Sequence, residues 1–228
     1  MSEAVSDVPA DPPPIIGDLP KLYRRLAKWR FRPWYRSGEF SADWASRHFS
    51  IWRRVLAPLR RRGARVLEIG SWEGRSAVFF LRYLGDAKIT CIDTFEGGIE
   101  HHTFQPFADQ LPVIEQRFER NLARFGNRVE KIKGASVPAL QRLAAQGRQF
   151  DLAYIDGDHH RDQVMADSVH VWPLIRPGGI VMWDDYTWSP DAPPEDRPQP
   201  AIDAFLDARQ GQYRVLAKGL QMIVRRIS

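Results

Sequence analysis

Val66-Leu-Glu-Ile-Gly-Ser-Trp-Glu-Gly-Arg-Ser76 decides how the chain reads. An apolar run, Arg65 to Ile69, stops at Gly70, a second glycine follows at 74, and Ser76 to Leu84 then carries the apolar content of a buried helix. Strand, glycine turn and helix together place backbone N–H groups at a helix N-terminus, facing a ligand. A second strand, Ile89 to Ile92, ends in Asp93, an acid placed to accept hydrogen bonds from the two hydroxyls of a ribose. A glycine turn alone is only a tight turn. Glu68 inside the first strand and Asp93 after the second make it specific.

These residues, Glu68, Gly70, Gly74 and Asp93, resemble the signature of class I S-adenosylmethionine-dependent methyltransferases. The resemblance implies a cofactor whose methionine end lies over the glycine turn and whose ribose meets Asp93. It extends the cofactor contacts to Ser71, Trp72, Ser76 and Thr94. A nicotinamide-dependent oxidoreductase is the competing reading. That fold prefers Gly-x-Gly-x-x-Gly, and here Trp72 stands where the middle glycine would admit a pyrophosphate.

Outward from that stretch the pattern alternates strand and helix, which predicts a parallel α/β sheet with helices on both faces. Strands are expected at 65–69, 88–92, 128–132, 150–155 and 178–183, and helices at about 74–84, 109–125, 136–146 and 160–175. Ala201 to Arg209 reads as a further helix, and Tyr213–Ala217 with Leu220–Arg226 as a closing hairpin split by Lys218-Gly219. The expected fold is Rossmann-like, a seven-stranded sheet in the order 3-2-1-4-5-7-6 with its last strand pair antiparallel. Gly97 to Pro106 is expected to be a loop with the surface histidines His101 and His102, and Trp188 to Pro200 a proline-rich lid. Gly134-Ala135-Ser136 places Ser136 as an N-cap, and the same segment resembles the adenine contact of catechol-type O-methyltransferases.

Before the sheet the chain divides in two. Residues 1–18 are acidic and proline-rich, the composition of a disordered leader. Residues 19–62 are expected to form a helical extension covering the domain of residues 63–228. Leu19 to Phe31 reads as a basic helix; Asp43 to Arg62 carries an apolar stripe, with Ser41 as its N-cap and Pro58 threatening its last turn. Lys21 to Arg36 holds seven basic residues and no acid, within a net charge of +5. Interleaved Tyr23, Trp29, Phe31, Trp34 and Tyr35 suit either base stacking or packing onto the domain. A methyltransferase acting on RNA through these helices is therefore a second reading, and the exposed aromatics also suit a homodimer.

The 228 residues suffice for one α/β domain with extensions, and 8 Trp with 12 Phe supply a large apolar core. No run approaches the ~20 apolar residues of a membrane span. The single cysteine, Cys91, excludes an intrachain disulfide and fits a cytoplasmic protein.

The chemistry gathers at two later strand ends, Asp156-Gly-Asp158-His159-His160 and Asp184-Asp185-Tyr186. In an open α/β sheet both clusters face the cleft that holds the cofactor. Several carboxylates brought together call for a cation or a proton. Oxygen ligands at strand tips suit Mg²⁺ or a similar divalent ion. The arrangement resembles the metal-dependent O-methyltransferases of catechol and macrocin type. Carried over, the resemblance makes Asp156, Asp184 and Asp185 metal ligands, Asp156 also a cofactor contact, and Asp158 or His159 the catalytic base. The expected reaction methylates a hydroxyl of a small molecule. Arg161, where relatives carry an aromatic residue, leaves the acceptor wall open, and the Asp-Pro-Pro-Tyr type of motif expected for base methylation is missing after the fourth strand.

Overall fold

The computed structural model describes residues 13–17, 19–103 and 105–228. Its strands are β1 (Ile15–Ile16), β2 (Arg65–Ile69), β3 (Lys88–Asp93), β4 (Val129–Lys133), β5 (Phe150–Ile155), β6 (Ile175–Trp183), β7 (Tyr213–Lys218) and β8 (Met222–Arg226). Its helices are α1 (Lys21–Phe31), α2 (Phe49–Val55), α3 (Arg75–Leu84), α4 (Ile99–Thr103), α5 (Gln105–Ala108), α6 (Leu111–Leu122), α7 (Ser136–Ala145), α8 (Arg161–Val171) and α9 (Gln199–Asp207).

Among the described residues one sheet runs β1-β7-β8-β6-β5-β2-β3-β4. Its seven domain strands keep the expected order, with β8 antiparallel to both β6 and β7. The count is eight rather than seven. Ile15 and Ile16 pair in parallel with Ala217 and Lys218 on the outer edge of β7, and Gly17 N donates to Lys218 O at 2.7 Å. Two β-branched residues at an open sheet edge satisfy backbone groups that would otherwise face water. The end of the expected leader is therefore an edge strand; residues 1–12 lie outside the described residues.

Alternation along the central strands fixes which face each helix covers. Val66, Leu152, Tyr154, Ile180 and Met182 point into the core beneath α2 and α3. Leu67, Ala153, Ile155, Val181 and Trp183 point to the other face, beneath α7, α8 and α9. Both faces are apolar, as a buried parallel sheet requires.

The N-terminal extension packs on the first face through its aromatics. Phe49 stacks on Phe79 at 4.4 Å, Phe31 meets the same ring edge-on at 5.2 Å, and fully buried Trp52 donates from Nε1 to Gln221 Oε1 at 2.8 Å. The helix expected over 43–62 is broken into a 3₁₀ turn (Ala45–Arg47), α2 and a second 3₁₀ turn (Ala57–Leu59). Pro58, which lacks an N–H, accounts for the second break. Ser41 is not its cap: Ser41 N donates to Glu73 Oε2 at 2.6 Å, and Asp43 Oδ1 accepts the Ser46 N–H at 3.2 Å instead. Residues 97–106 are not simply a loop either, since α4 and α5 occupy most of them. Among the described residues no helix is long and apolar enough to cross a membrane.

Candidate active site

β2 stops because Gly70 turns with φ 78°, and no other residue fits there: a Cβ would lie 1.9 Å from the Asp156 carbonyl oxygen. Gly74, at φ 77°, then starts α3, and Trp72 between them holds the left-handed region at φ 48°. A non-glycine residue held there marks a turn fixed by its surroundings. The fixing groups are two acids. Asp93 Oδ2 accepts the backbone N–H of Ser71 at 2.6 Å and of Trp72 at 2.7 Å, while its Oδ1 accepts from Phe95 N at 2.6 Å. Glu68 lies under the turn, where its Oε2 accepts from Ser71 Oγ at 2.7 Å and from the Cys91 thiol at 3.3 Å. Burial pushes the Glu68 carboxyl up to about 7, against the pull of the Ser71, Ser76 and Cys91 donors, and Oε1 has no hydrogen-bond partner. Burial also raises Asp93, despite its three N–H donors.

Beyond the turn opens a cavity of about 630 Å³. That volume suits a ligand of nucleoside size with a small acceptor beside it. Its floor is built from strand ends: Gly70 to Glu73 with Arg75 and Ser76, Asp93 and Thr94, Gly134 to Val137, Asp156 to His159, and Asp184 with Asp185. Every expected site residue except Glu68 and Gly74 borders it. Ser136 does so as the first residue of α7, not as its cap; its hydroxyl donates to Asp167 Oδ1 at 2.5 Å. Asp167 is raised to about 6, by burial, with Ser136 and Gln163 pulling the other way.

The roof comes from elsewhere in the chain. Trp44, Ala45 and Arg47 of the N-terminal extension and Trp188 after β6 close over the floor. Trp72 stacks on His101 at 4.4 Å, and Trp44 meets Phe107 edge-on at 5.1 Å, so four rings form one wall. Trp44, His101 and Phe107 were not foreseen as site residues. Trp44 reads in sequence as one member of an apolar stripe, and nothing local to residues 101–107 points at the glycine turn.

The acidic clusters meet on the opposite side. Asp156, His159 and Asp185 each offer a ligand atom, and these atoms lie within 4.8 Å of one another. His159 Nε2 stands 3.1 Å from Asp185 Oδ2, and its ring stacks on Trp188 at 4.6 Å. Asp185 is held at φ 52°, a strained position for an aspartate. Its Oδ1 pairs with Arg47 Nη2 at 3.1 Å.

Asp184, expected beside Asp185 as a ligand, also borders the cavity but is more deeply buried, and its carboxylate is taken up by protein donors. Its Oδ1 meets His48 Nε2 at 3.3 Å and Gln221 Nε2 at 3.0 Å, and accepts the Asp185 N–H at 2.8 Å. Its Oδ2 accepts from the Tyr154 hydroxyl. Burial alone would raise Asp184; His48 and these donors hold it below the usual carboxylate range. Asp156 goes the opposite way, pushed well up by burial and by the charges of Asp184 and Asp185. Asp158 is exposed and turned onto its own loop, where Oδ1 accepts the His160 N–H at 2.7 Å.

The paired carboxylates of Asp156 and Asp185 fit a divalent cation, with the His159 imidazole beside them. The glycine cradle beside Asp93 fits a nucleoside carrying a flexible charged tail.

Comparison with known proteins agrees with that geometry. The family described as "Methyltransferase domain" matches residues 67–186, more than half of the chain. An uncharacterized protein, R132, of Acanthamoeba polyphaga mimivirus is 26% identical over 178 residues, covering 73% of this chain and 70% of that protein. Among solved structures, the MycE methyltransferase of the mycinamycin biosynthetic pathway, in complex with Mg and SAH, aligns at a TM-score of 0.59 and 19% identity over 90% of this chain. The chain spans only about half, 54%, of the MycE chain. An O-methyltransferase of Bacillus cereus, in complex with SAH, aligns at a TM-score of 0.58 and 17% identity, covering 91% of this chain and 92% of that one.

Proposed function

The chain belongs to the methyltransferase-domain family, as an S-adenosylmethionine-dependent methyltransferase, and from that premise we propose that it methylates a hydroxyl oxygen of a small molecule with the help of a divalent cation. The observation that carries the reading is the convergence of two constellations on one cavity: the glycine turn with Asp93, and the cluster of Asp156, His159 and Asp185. The domain is residues 63–228, and residues 19–62 serve as its cap.

S-adenosylmethionine supplies a methyl group on a positively charged sulfur; the cation lowers the pKa of the acceptor hydroxyl and fixes its direction. The chain's own residues do the rest. The turn from Gly70 to Gly74 and the segment Gly134 to Ser136 hold the nucleoside, with Asp93 facing its ribose. Asp156 and Asp185 are the anionic ligands of the cation. Asp184 supports them from below. His159 accepts the hydroxyl proton on its imidazole, and the Asp185 carboxylate, 3.1 Å from Nε2, stabilises the resulting imidazolium. Asp158, tied to its own turn and exposed, is the less suitable base. Trp44, Trp72, Trp188 and Phe107 exclude water and offer flat surfaces to an acceptor ring.

Calorimetry with S-adenosylhomocysteine, in EDTA and then in Mg²⁺, tests the assignment. Binding in both conditions with added heat from Mg²⁺, and methylation of hydroxylated acceptors that EDTA abolishes, is expected. Turnover unaffected by EDTA would remove the cation from the reading.

A further inference from the structure

The most exposed apolar groups of the described chain are not at the cavity. They sit on α1. Leu22, Leu26 and Trp29 are 63%, 54% and 76% exposed. Their spacing of four and three residues puts them on a single stripe of the helix. The opposite face is the one used for packing: Phe31 is buried against Phe49 and Phe79, and Ala27 lies against the same core. The helix therefore turns its largest apolar stripe outward, which a helix that only covers a core has no reason to do. Ile16 of β1 adds another aliphatic side chain, 70% exposed, in the same N-terminal segment.

Charge flanks the stripe. Lys21, Arg25, Arg30 and Arg32 are exposed on either side of it, and no acid occurs between Lys21 and Arg36. Lys28 is already engaged with Asp43, at 2.7 Å. A ridge of leucine and tryptophan between rows of basic residues is the pattern of a helix lying in the headgroup layer of a bilayer.

We propose that α1 docks the protein on an anionic phospholipid surface, with Leu22, Leu26 and Trp29 entering the interface and the flanking arginines and lysine meeting lipid phosphates. Charge decides the occupant. A two-fold contact of this face with a second copy would set basic rows against each other. Nucleic acid would meet a ridge headed by two leucines where its phosphates need cations. An anionic bilayer satisfies both the ridge and its flanks. The face is also joined to the cavity: α1 packs on the Ala45–Arg47 turn, whose Ala45 and Arg47 border the site, so the surface it docks on lies beside the roof.

The test is flotation of the full chain with vesicles of equal parts phosphatidylglycerol and phosphatidylcholine, compared with phosphatidylcholine alone. Binding to the anionic vesicles is expected. Replacing one flanking basic residue, as in Arg25→Gln, is expected to weaken it by about five-fold. Trp29→Ser and Leu26→Ser should each weaken it by about ten-fold or more, since each removes an apolar group that enters the interface. Circular dichroism and S-adenosylhomocysteine affinity unchanged in these variants would show that the fold and the cofactor site are intact. No flotation of the wild-type protein overturns the proposal. So does binding that Arg25→Gln weakens but Trp29→Ser leaves alone, since a purely electrostatic surface needs no ridge. A dimer in sedimentation velocity that Trp29→Ser dissociates assigns the stripe to a second copy and overturns it as well.

Discussion

Tyr154 stands between two carboxylates: its hydroxyl lies 2.9 Å from Asp156 Oδ2 and also contacts Asp184 Oδ2. One hydroxyl proton serves two acids, so one of the two contacts is incomplete without a further proton or a cation. Asp184 has three other partners, whereas Asp156 is the acid pushed up by burial and by its neighbours' charges. In the proposed function it is therefore Asp156 whose charge the cation would offset. Tyr154→Phe removes the shared donor while keeping the ring that packs on Trp52 and Phe80. It should lower unfolding stability by about 1–3 kcal/mol in urea titration. Unchanged stability would mean the hydroxyl does not join the two acids.

Asp93→Ala should lower S-adenosylhomocysteine affinity by about 100-fold in calorimetry, the worth of about two hydrogen bonds from a carboxylate to ribose hydroxyls. Asp93→Asn keeps an acceptor for the Ser71 and Trp72 N–H groups and should lose less. Wild-type affinity in the alanine variant would remove Asp93 from the cofactor site.

Strands whose two faces are both buried, such as β2 and β5, announce themselves as short apolar runs, and their registers fix which strand ends share a cleft. For that reason the strands and the glycine turn were legible in the sequence, while the order of the sheet and the grouping of Asp156 with Asp185 followed from the resemblance that Glu68, Gly70, Gly74 and Asp93 carry. What was not legible depends on partners rather than order. Asp184 and Asp185 are adjacent in sequence and similar in chemistry, yet both border the cavity with different partners: Asp184 is held by His48 and Gln221, and Asp185 by Arg47 and His159. Trp44 and Phe107 reach the glycine turn through folding of the extension and of α5, which no local spacing encodes. Ile15 and Ile16 become a strand because β7 offers an open edge, so their structure is decided by residues some 200 positions later.

The different partners of the aspartate pair give opposite expectations for two adjacent substitutions. Asp184→Asn sets an amide among groups that all donate to the carboxylate and should cost about 3–5 kcal/mol of stability. Asp185→Asn, at a more open position, should change stability by less than about 1 kcal/mol and lower divalent-ion affinity by about ten-fold or more in calorimetry. Equal effects of the two on ion affinity would restore Asp184 as a ligand.

His159→Ala separates proton transfer from ion binding. As the base, its loss should lower kcat by about 100-fold or more at neutral pH while calorimetric Mg²⁺ affinity stays near that of the wild type. A loss of Mg²⁺ affinity matching that of Asp185→Asn would make the imidazole a ligand, and Asp158 would then be left to take the proton.

Glu68 predicts a pH dependence of folding with a definite sign. Burial raises its carboxyl from an ordinary 4.5 to about 7, so the folded state binds the proton more tightly than the unfolded chain does. The contribution is fully present below pH 4.5 and is lost as pH rises through 7. By linkage a shift of this size is worth about 3 kcal/mol between those limits. Glu68→Gln has no charge to bury and keeps a carbonyl oxygen to accept from Ser71 Oγ. Its stability should therefore change less between about pH 5 and pH 8 than that of the wild type, in urea titrations run on both proteins. The comparison isolates Glu68, because every other acid is common to the two chains. Parallel stability profiles would mean that Glu68 titrates alike in the folded and unfolded protein.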